Sequence, residues 1–385
     1  TLKCDPFTLR SLIPFNRPFI AGREKEYLAE VFEIGHFAGN GPFTKRCQEW
    51  LEDHLGATRV LLTHSCTGAL EMASLLMGLG PDDEFILPSF TFVTTASAFM
   101  RTGAEPVFCE IDPMTMLMDL DDVERRITSR TRAIISVDYA GFAPDMGRLS
   151  QLAESKNITI IEDAAQGLGS MTDGSPLGTL APLSAISFHE TKNIHCGLGG
   201  CLVVNDPSFA ERAEVIWERG TNRSAFFKGT VDKYSWVELG SSFYPSEFQA
   251  AFLLAQLEAM EDNLTHRRKL WNWYAESLSV YEQKGSLQIL RPPADSEHNA
   301  HMFAILLSSS DNADRVRQQL NADGVQAVIH YVPLHVSAMG ADLGYESEHL
   351  PVTANAASRL LRLPLHVEMN REDVEVVVQK LLSIL

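Results

Sequence analysis

The chain has 385 residues, with 32 basic and 50 acidic side chains, so its formal net charge at neutral pH is −18. A negative charge of this size repels phosphate backbones and anionic membrane surfaces, which argues against nucleic-acid and membrane partners. With 45% hydrophobic and 21% charged residues, the composition is typical of a globular protein rather than a disordered or fibrous one.

The sequence also lacks the signals of a membrane-bound or exported protein. No apolar run approaches the roughly 20 residues of a membrane span, and Thr1–Pro6 has no apolar signal-peptide core. The six cysteines form no CxxC pair and no metal-ligand spacing, which fits a reducing compartment and predicts no metal site. We therefore expect a cytoplasmic protein.

From residue 59 to 206, short apolar runs rich in branched residues alternate with longer amphipathic stretches such as Thr67–Met77 and Met146–Glu154. Because alternating strands and helices pair the strands in parallel, the pattern predicts an α/β fold with a mainly parallel, seven-stranded sheet. The seven runs are Val60–Leu62, Phe85–Leu87, Pro106–Phe108, Ala133–Val137, Ile158–Ile161, Ala185–Phe188 and Cys201–Val204.

The C-terminal third has a different organisation. Pro245–Leu278 has no internal Gly or Pro and predicts one long helix or two in succession. We predict a large domain over residues 1–260 and a smaller α/β domain over 261–385, onto which the N-terminal segment packs. The further predicted elements are a strand over Met302–Leu307, a helix over Ala313–Ala322 and a strand over Val325–Tyr331.

Polar residues follow several predicted strands, at the sheet edge where α/β proteins bind ligands. Ser65, Cys66 and Thr67 follow the first strand and begin a helix, so they are either plain helix caps or a phosphate site. Asp163 follows the fifth strand and either caps the next helix or pairs with a cation. Lys192 follows the sixth, and it is either a solvated lysine or a desolvated amine that condenses with a carbonyl compound.

This order of phosphate turn, aspartate and lysine is what pyridoxal 5'-phosphate (PLP) requires. A helix N-terminus binds the phosphate, the carboxylate pairs with the ring nitrogen, and the amine holds the aldehyde. No GxGxxG follows a strand and no GxxxxGK[ST] is present, so neither a dinucleotide nor an ATP site is indicated.

Several segments support a resemblance to one family over nearly the whole chain, from Ile13 to Leu365. The chain resembles the DegT/DnrJ/EryC1/StrS sugar aminotransferases, which implies the PLP-dependent transferase fold type I of aspartate aminotransferase. Within that family it is most similar to the transaminases that form dTDP-4-amino-4,6-dideoxygalactose for enterobacterial common antigen. The supporting segments are Ser65–Thr67, Ser187–Asn193, Gly220–Ser224, Val231–Tyr234, Gly240–Ser242 and His330–His335.

The resemblance implies roles for individual residues. Lys192 and Asp163 are the catalytic pair, in which Lys192 holds the aldehyde and moves the proton while Asp163 pairs with the ring nitrogen. Gln166 contacts the ring hydroxyl, and Phe92 stacks on the ring, although on its own Phe92 would be interpreted as a core residue. The residues expected to hold the phosphate are Cys66, Thr67 and Ser187, with Ser242 reaching it from a neighbouring subunit.

Four residues are expected to contact the substrate. His189 is near the lysine, although a packed histidine is an equal alternative, and His335 belongs to a matching segment. Arg223 and Lys228 lie in a locally basic stretch, Arg219–Lys233, which is either a solvated loop or a site that meets the substrate's diphosphate or the partner subunit.

The implied reaction transfers an amino group from L-glutamate to the C4 ketone of a dTDP-4-keto-6-deoxyhexose. The products are 2-oxoglutarate and a dTDP-4-amino-4,6-dideoxyhexose, with the galactose configuration favoured, made by a homodimer with shared active sites. Alternatives are a relative that acts at another keto position, a dehydratase, in which histidine tends to replace the residue at Lys192, and a non-catalytic relative. The chain departs from many members at Cys66, at Ser242 and at Asp138, where they have Gly, Asn and His, and the role of Asp138 is open.

Overall fold

The computed structural model describes residues 12–308 and 310–385, so Thr1–Pro6, with Cys4, lies outside the described residues. Within these ranges the chain forms thirteen strands and fourteen α-helices. The strands are β1 (Arg59–Thr63), β2 (Glu84–Pro88), β3 (Glu105–Cys109), β4 (Thr131–Val137), β5 (Thr159–Asp163), β6 (Met171–Thr172), β7 (Ser175–Pro176), β8 (Leu183–Ser187), β9 (Gly200–Val204), β10 (Leu287–Ile289), β11 (Ser296–Glu297), β12 (Phe303–Leu307) and β13 (Leu360–Leu363). The helices are α1 (Glu24–Ile34), α2 (Pro42–Leu55), α3 (Cys66–Met77), α4 (Val93–Met100), α5 (Leu120–Arg126), α6 (Met146–Lys156), α7 (Ala210–Trp217), α8 (Arg223–Phe227), α9 (Glu247–Glu258), α10 (Met260–Gln283), α11 (Ser310–Ala322), α12 (Ala338–Asp342), α13 (Pro351–Arg359) and α14 (Arg371–Ile384).

Seven strands form the main sheet in the order β1-β9-β8-β5-β4-β2-β3. Neighbouring strands from β3 to β8 pair in parallel, whereas β9 runs antiparallel to both of its neighbours. Each of the seven predicted apolar runs overlaps one of these strands, so the predicted mainly parallel α/β sheet is confirmed. A small third sheet is formed by β6, β7 and β11.

Helices cover both faces of this sheet, which explains why its strands are apolar at nearly every position. Strands β2, β8 and β9 are buried along their whole length. Alternate side chains of β1 point to opposite faces, as the pleat requires. Leu61 packs in one cluster with Leu70 of α3, while Val60 packs in another with Phe43 of α2.

The C-terminal part of the chain builds a second sheet, β10-β12-β13, with its own apolar cluster around Trp271, Phe303 and Leu361. The stretch predicted as one or two helices forms two, α9 and α10, which meet at Ala259. The domain division proposed between residues 260 and 261 therefore falls in the first turn of α10. Ile13 pairs with Val325, so the described N-terminal segment contacts the C-terminal part.

The predicted strand over Val325–Tyr331 is wrong. The segment makes only two isolated bridges, from Val325 to Ile13 and from Val328 to Arg362, and no continuous ladder. The chain turns away after Val328 because Tyr331 reaches toward the main sheet, where its hydroxyl accepts a hydrogen bond from Gln166 at 3.2 Å. Among the described residues, no helix combines the length and apolarity that crossing a bilayer requires.

Candidate active site

A cavity of about 470 Å³ lies at the carboxyl ends of β1, β2, β4, β5 and β8. The structure brings most of the predicted site residues to it from these separate strand ends, as parallel α/β sheets do. The predicted residues that line the cavity are Cys66, Thr67, Phe92, Asp163, Gln166, Ser187, His189 and Lys192.

One end of the cavity is the N-terminus of α3. The Ser65 hydroxyl accepts a hydrogen bond from the backbone N–H of Gly68 at 3.1 Å, which caps the helix. The first backbone N–H groups of a helix have no partner within it, so the amides of Cys66 and Thr67 remain for an anion. Strand β9 closes against them, since a Cβ atom added to Gly200 would lie 2.4 Å from the Cys66 nitrogen.

Asp163 ends β5 and is 5% exposed. Its Oδ2 accepts a hydrogen bond from Thr95 Oγ1 at 2.7 Å, and its Oδ1 accepts one from the backbone N–H of Ala165 at 3.2 Å. Burial raises the pKa of the Asp163 carboxyl, while these two hydrogen bonds and the charge of Lys192 act in the opposite direction. A protonated ring nitrogen beside the carboxylate would add a second cation and hold it ionised.

Lys192 lies in a turn that follows β8, and its backbone N–H donates to the carbonyl of His189 at 2.8 Å. Burial lowers the pKa of the Lys192 amine, and the charge of Asp163 opposes this effect. A lower pKa increases the fraction of neutral amine, which is the form that attacks an aldehyde. Burial raises the pKa of the Cys66 thiol well above its usual value, so this thiol adds no charge to the site.

Two predicted ring contacts lie on the cavity wall. Phe92 is 53% exposed, so its ring has a free face at the cavity rather than a place in the core. The Gln166 side chain is held at both ends: its Oε1 accepts from the N–H of Ala140 at 2.7 Å and its Nε2 donates to the hydroxyl of Tyr331 at 3.2 Å. The remaining amide hydrogen of Gln166 is free to meet a ring hydroxyl.

The structure does not bring all predicted substrate residues to the cavity. His189 lines it, but Arg223 pairs with Glu218 at 3.4 Å and Lys228 with Glu214 at 3.0 Å on a separate surface. Ser242 is exposed and also lies outside the cavity lining.

His335 is another predicted substrate residue that the structure does not bring to the cavity. It is fully buried, with Nδ1 2.6 Å from Ser89 Oγ, and it does not line the cavity. This hydrogen bond connects the segment that follows β2 to the C-terminal part of the chain, so the contact that His335 makes in the structure is with Ser89 and not with the cavity.

Several polar lining residues were missed as site residues in the sequence, among them Arg362, His301 and Tyr331. Arg362 is 7% exposed and stacks on Phe15 at 4.5 Å, and within the described part of the chain its side chain makes no ion pair. His301 is also buried in the cavity wall, and Tyr331 is partly buried there. Tyr331 and neighbouring His330 lie in a segment that the resemblance singled out, but no sequence signal marked Arg362 as buried and unpaired.

These features match the chemical demands of one cofactor. Unpaired helix amides suit a phosphate, a buried carboxylate suits a protonated ring nitrogen, a desolvated amine suits an aldehyde, and an exposed aromatic face suits a planar ring. In the described residues, no group of His, Cys, Asp and Glu side chains could hold a metal ion. The fold and the site define a PLP-dependent enzyme of fold type I.

Comparisons with known proteins agree. The model of the DegT/DnrJ/EryC1/StrS aminotransferase family matches residues 18–382. The dTDP-4-dehydro-2,3,6-trideoxy-D-glucose 4-aminotransferase of Saccharopolyspora spinosa is 30% identical over 376 residues, 95% of each chain. The UDP-2-acetamido-2-deoxy-3-oxo-D-glucuronate aminotransferase of Pseudomonas aeruginosa is 32% identical over 339 residues, 88% of this chain and 89% of the relative.

Solved structures extend the likeness to the whole fold. Spr1654 of Streptococcus pneumoniae, solved in a PLP form and a PMP form, matches with TM-scores of 0.89 and 0.90 at 25% identity. The match covers 97% of this chain and 98% of Spr1654. The chain belongs to the DegT/DnrJ/EryC1/StrS aminotransferase family, and it is a PLP-dependent sugar aminotransferase.

Proposed function

We propose that the protein transfers the amino group of L-glutamate to the C4 ketone of a dTDP-4-keto-6-deoxyhexose. The products are 2-oxoglutarate and a dTDP-4-amino-4,6-dideoxyhexose, and the resemblance of the Ser187–Asn193 and His330–His335 segments favours the galactose configuration. The observation that carries the proposal is the meeting of Lys192 and Asp163 in one cavity with the free N-terminus of α3. The relative from Saccharopolyspora spinosa supports the dTDP group and the 4-position, since its name states both.

PLP, when bound, supplies an aldehyde that accepts the amino group and a ring that withdraws electrons from the reacting carbon. The chain's own residues supply positioning and proton transfer. Asp163 holds a proton on the ring nitrogen, and the amides of Cys66 and Thr67 hold the phosphate. Lys192 Nζ takes the proton from the donor carbon and returns one to C4 of the sugar. A lysine in this position favours transamination over dehydration.

The unpaired Arg362 is the residue that we expect to bind the amino donor. A buried guanidinium is costly unless an anion compensates it, and a carboxylate offers two hydrogen-bond acceptors in matching geometry. Arg362 lines the same cavity as Lys192, and its buried Nε has no hydrogen-bond partner within the described residues. An acidic amino acid such as glutamate carries that partner into the site.

An exposed apolar surface supports the homodimer in which each subunit completes the other's site. Phe227, Trp236 and Leu239 are 71%, 75% and 66% exposed in the single chain. Large apolar side chains that are exposed within one short segment, residues 227–239, are typical of protein contacts. We expect this surface to be covered by a second copy of the chain, so that Trp236→Glu shifts the mass measured by light scattering from dimer to monomer.

The same segment carries the two predicted cations. The Arg223 and Lys228 side chains are 43% and 63% exposed, whereas their partners Glu218 and Glu214 are only 2% and 17% exposed. Because both cations reach solvent, we expect them to meet the diphosphate that is bound in the partner subunit's cavity. Arg223→Ala and Lys228→Ala should each raise KM for the sugar nucleotide, while the control Lys156→Ala, at the end of α6, leaves it unchanged.

The test of the reaction is a panel of keto sugar nucleotides assayed with PLP and L-glutamate, with the products identified by NMR. We expect the highest kcat/KM with dTDP-4-keto-6-deoxyglucose and an axial amino group at C4, as in galactose. Preference for a UDP-linked 3-keto sugar, the kind of substrate in the name of the Pseudomonas aeruginosa relative, would overturn the substrate assignment but keep the aminotransferase. Release of a dehydrated sugar would support the dehydratase instead.

We propose a cytoplasmic location. Cys47, Cys66, Cys109, Cys196 and Cys201 are all free, which fits a reducing compartment.

A further inference from the structure

Asp138 is a buried acid in the cavity wall whose charge nothing in the described structure compensates. It follows β4, is 0% exposed and lines the cavity. Neither of its carboxyl oxygens has a hydrogen-bond partner among the described residues. An ionised carboxylate left in this state would carry a large desolvation penalty.

The donors near Asp138 are already used by two other carboxylates. Glu162, on the neighbouring strand β5, accepts from the N–H of Gly178 at 2.6 Å, the N–H of Leu180 at 2.9 Å and the hydroxyl of Ser184 at 2.8 Å. Asp163, the next residue, has its own two donors. In the register of β4 and β5, Ser136 lies beside Glu162, and Asp138 follows two residues later on the same side of the pleated chain. A carboxyl group beside a carboxylate, with no donor to it among the described residues, is satisfied by donating a proton itself.

We propose that Asp138 carries a proton in the folded protein and donates it to Glu162, so that Asp163 remains the single ionised carboxylate facing the PLP ring nitrogen. The second half of this statement rests on the proposed PLP chemistry, whereas the first half does not. Asp138 thus acts as a positioning residue: it acts through Glu162 and Asp163 and needs no contact with the substrate.

The surrounding charges favour this assignment of the proton. Burial, Glu162 and Asp163 all raise the pKa of Asp138, whereas hydrogen bonds oppose the effect of burial on the pKa of Glu162. The remaining titratable groups on the cavity wall are Cys66, His189, Lys192, His301, His330, Tyr331 and Arg362. A second negative charge at Asp138 would raise the pKa of Asp163 and make it a poorer partner for a protonated ring.

The first test uses the wild-type protein without cofactor or substrate. Infrared difference spectra at neutral pH, with and without isotopically labelled aspartate, should show the carbonyl stretch of a protonated aspartic acid. Asp138→Asn should abolish that signal, and Ser184→Ala, which leaves Asp138 in place, should keep it. Absence of the signal in wild-type protein, or its survival in Asp138→Asn, overturns the proposal whatever reaction the enzyme catalyses.

The second test measures thermal unfolding against pH for the cofactor-free protein. An acid whose pKa is raised by folding stabilises the protein fully only below its unfolded pKa of about 3.9, and this contribution is lost as pH rises. The wild-type Tm should therefore fall relative to that of Asp138→Asn as the pH rises from about 4, near the unfolded pKa, to about 7. Parallel Tm curves for the two proteins, or a wild-type Tm that rises relative to that of Asp138→Asn over this range, refute a protonated Asp138.

A third measurement concerns the bound cofactor. Asn is neutral and can donate to Glu162, so Asp138→Asn should leave the midpoint pH of the absorbance titration of bound PLP unchanged. The Kd for PLP should stay within about threefold of the wild-type value, a difference of less than 1 kcal/mol. Asp138→Ala, which removes the donor, should weaken PLP binding. A titration shifted in Asp138→Asn to the same extent as in Asp138→Ala would mean that Asp138 acts as a charge, and would overturn the proposal.

Discussion

Replacing Arg362 with methionine tests how the site recognises its amino donor. The substitution keeps much of the side-chain volume and removes the guanidinium that lines the cavity with no ion pair in the described structure. We expect kcat/KM for L-glutamate to fall while the second half-reaction, with the keto sugar nucleotide, changes by less than about threefold.

The size of the loss follows from the burial of Arg362. Removing one partner of a buried, hydrogen-bonded charge pair costs about 2 to 5 kcal/mol, and at about 1.4 kcal/mol per tenfold change a loss of about 3 kcal/mol is roughly 150-fold. Burial already lowers the pKa of Arg362, so the free guanidinium is destabilising in the empty cavity. The ligand-free Arg362→Met protein should therefore unfold at the wild-type temperature or above it.

Stopped-flow absorbance of the PLP-loaded protein separates the two half-reactions. Arg359→Met is the matched control, because Arg359 lies three residues away and donates to the backbone carbonyl of Leu307, outside the cavity. An unchanged rate with glutamate in Arg362→Met, or an equal loss in the control, would refute carboxylate recognition by Arg362. An equal loss with the sugar nucleotide would assign Arg362 to the other substrate.

Two further substitutions test the cofactor site. Gly200→Ala places a methyl group 2.4 Å from the Cys66 nitrogen, so overpacking of about 1 to 3 kcal/mol should displace the phosphate end and weaken PLP binding at least tenfold by equilibrium titration. Gly80→Ala, with no atom within 4 Å of its new Cβ, should leave PLP binding unchanged. Thr95→Val removes the 2.7 Å donor to Asp163 and so raises the pKa of that carboxyl, which should move the acid limit of PLP binding to higher pH. A pH profile identical to that of wild-type protein would show that Thr95 does not hold Asp163 ionised.

The sheet and the cofactor residues were accessible from the sequence because their signals are local. An apolar run marks a strand buried on both faces, and the residue after it, as with Asp163 and Lys192, lies at the ligand-binding edge of the sheet. The alternatives to a site role, such as a helix cap or a solvated lysine, are resolved only when these residues line one cavity.

The remaining features depend on contacts between distant parts of the chain. Arg362 reaches the cavity from β13, and no local pattern shows that its charge is buried without a partner. His335 has the composition of a site residue, yet it is bound to Ser89, 246 residues earlier. Val325–Tyr331 has the apolar pattern of a strand but leaves the sheet, since the contact of Tyr331 with Gln166 decides its path.

The most direct test of the account is to identify the residue that binds PLP covalently. The purified protein is loaded with PLP, reduced with borohydride, digested and examined by mass spectrometry, with Lys192→Ala as the control. We predict that the phosphopyridoxyl group is found on Lys192, and that Lys192→Ala carries none and lacks turnover with glutamate and a keto sugar nucleotide. A label on another lysine, or turnover that survives in Lys192→Ala, would contradict the assignment of this cavity as the active site.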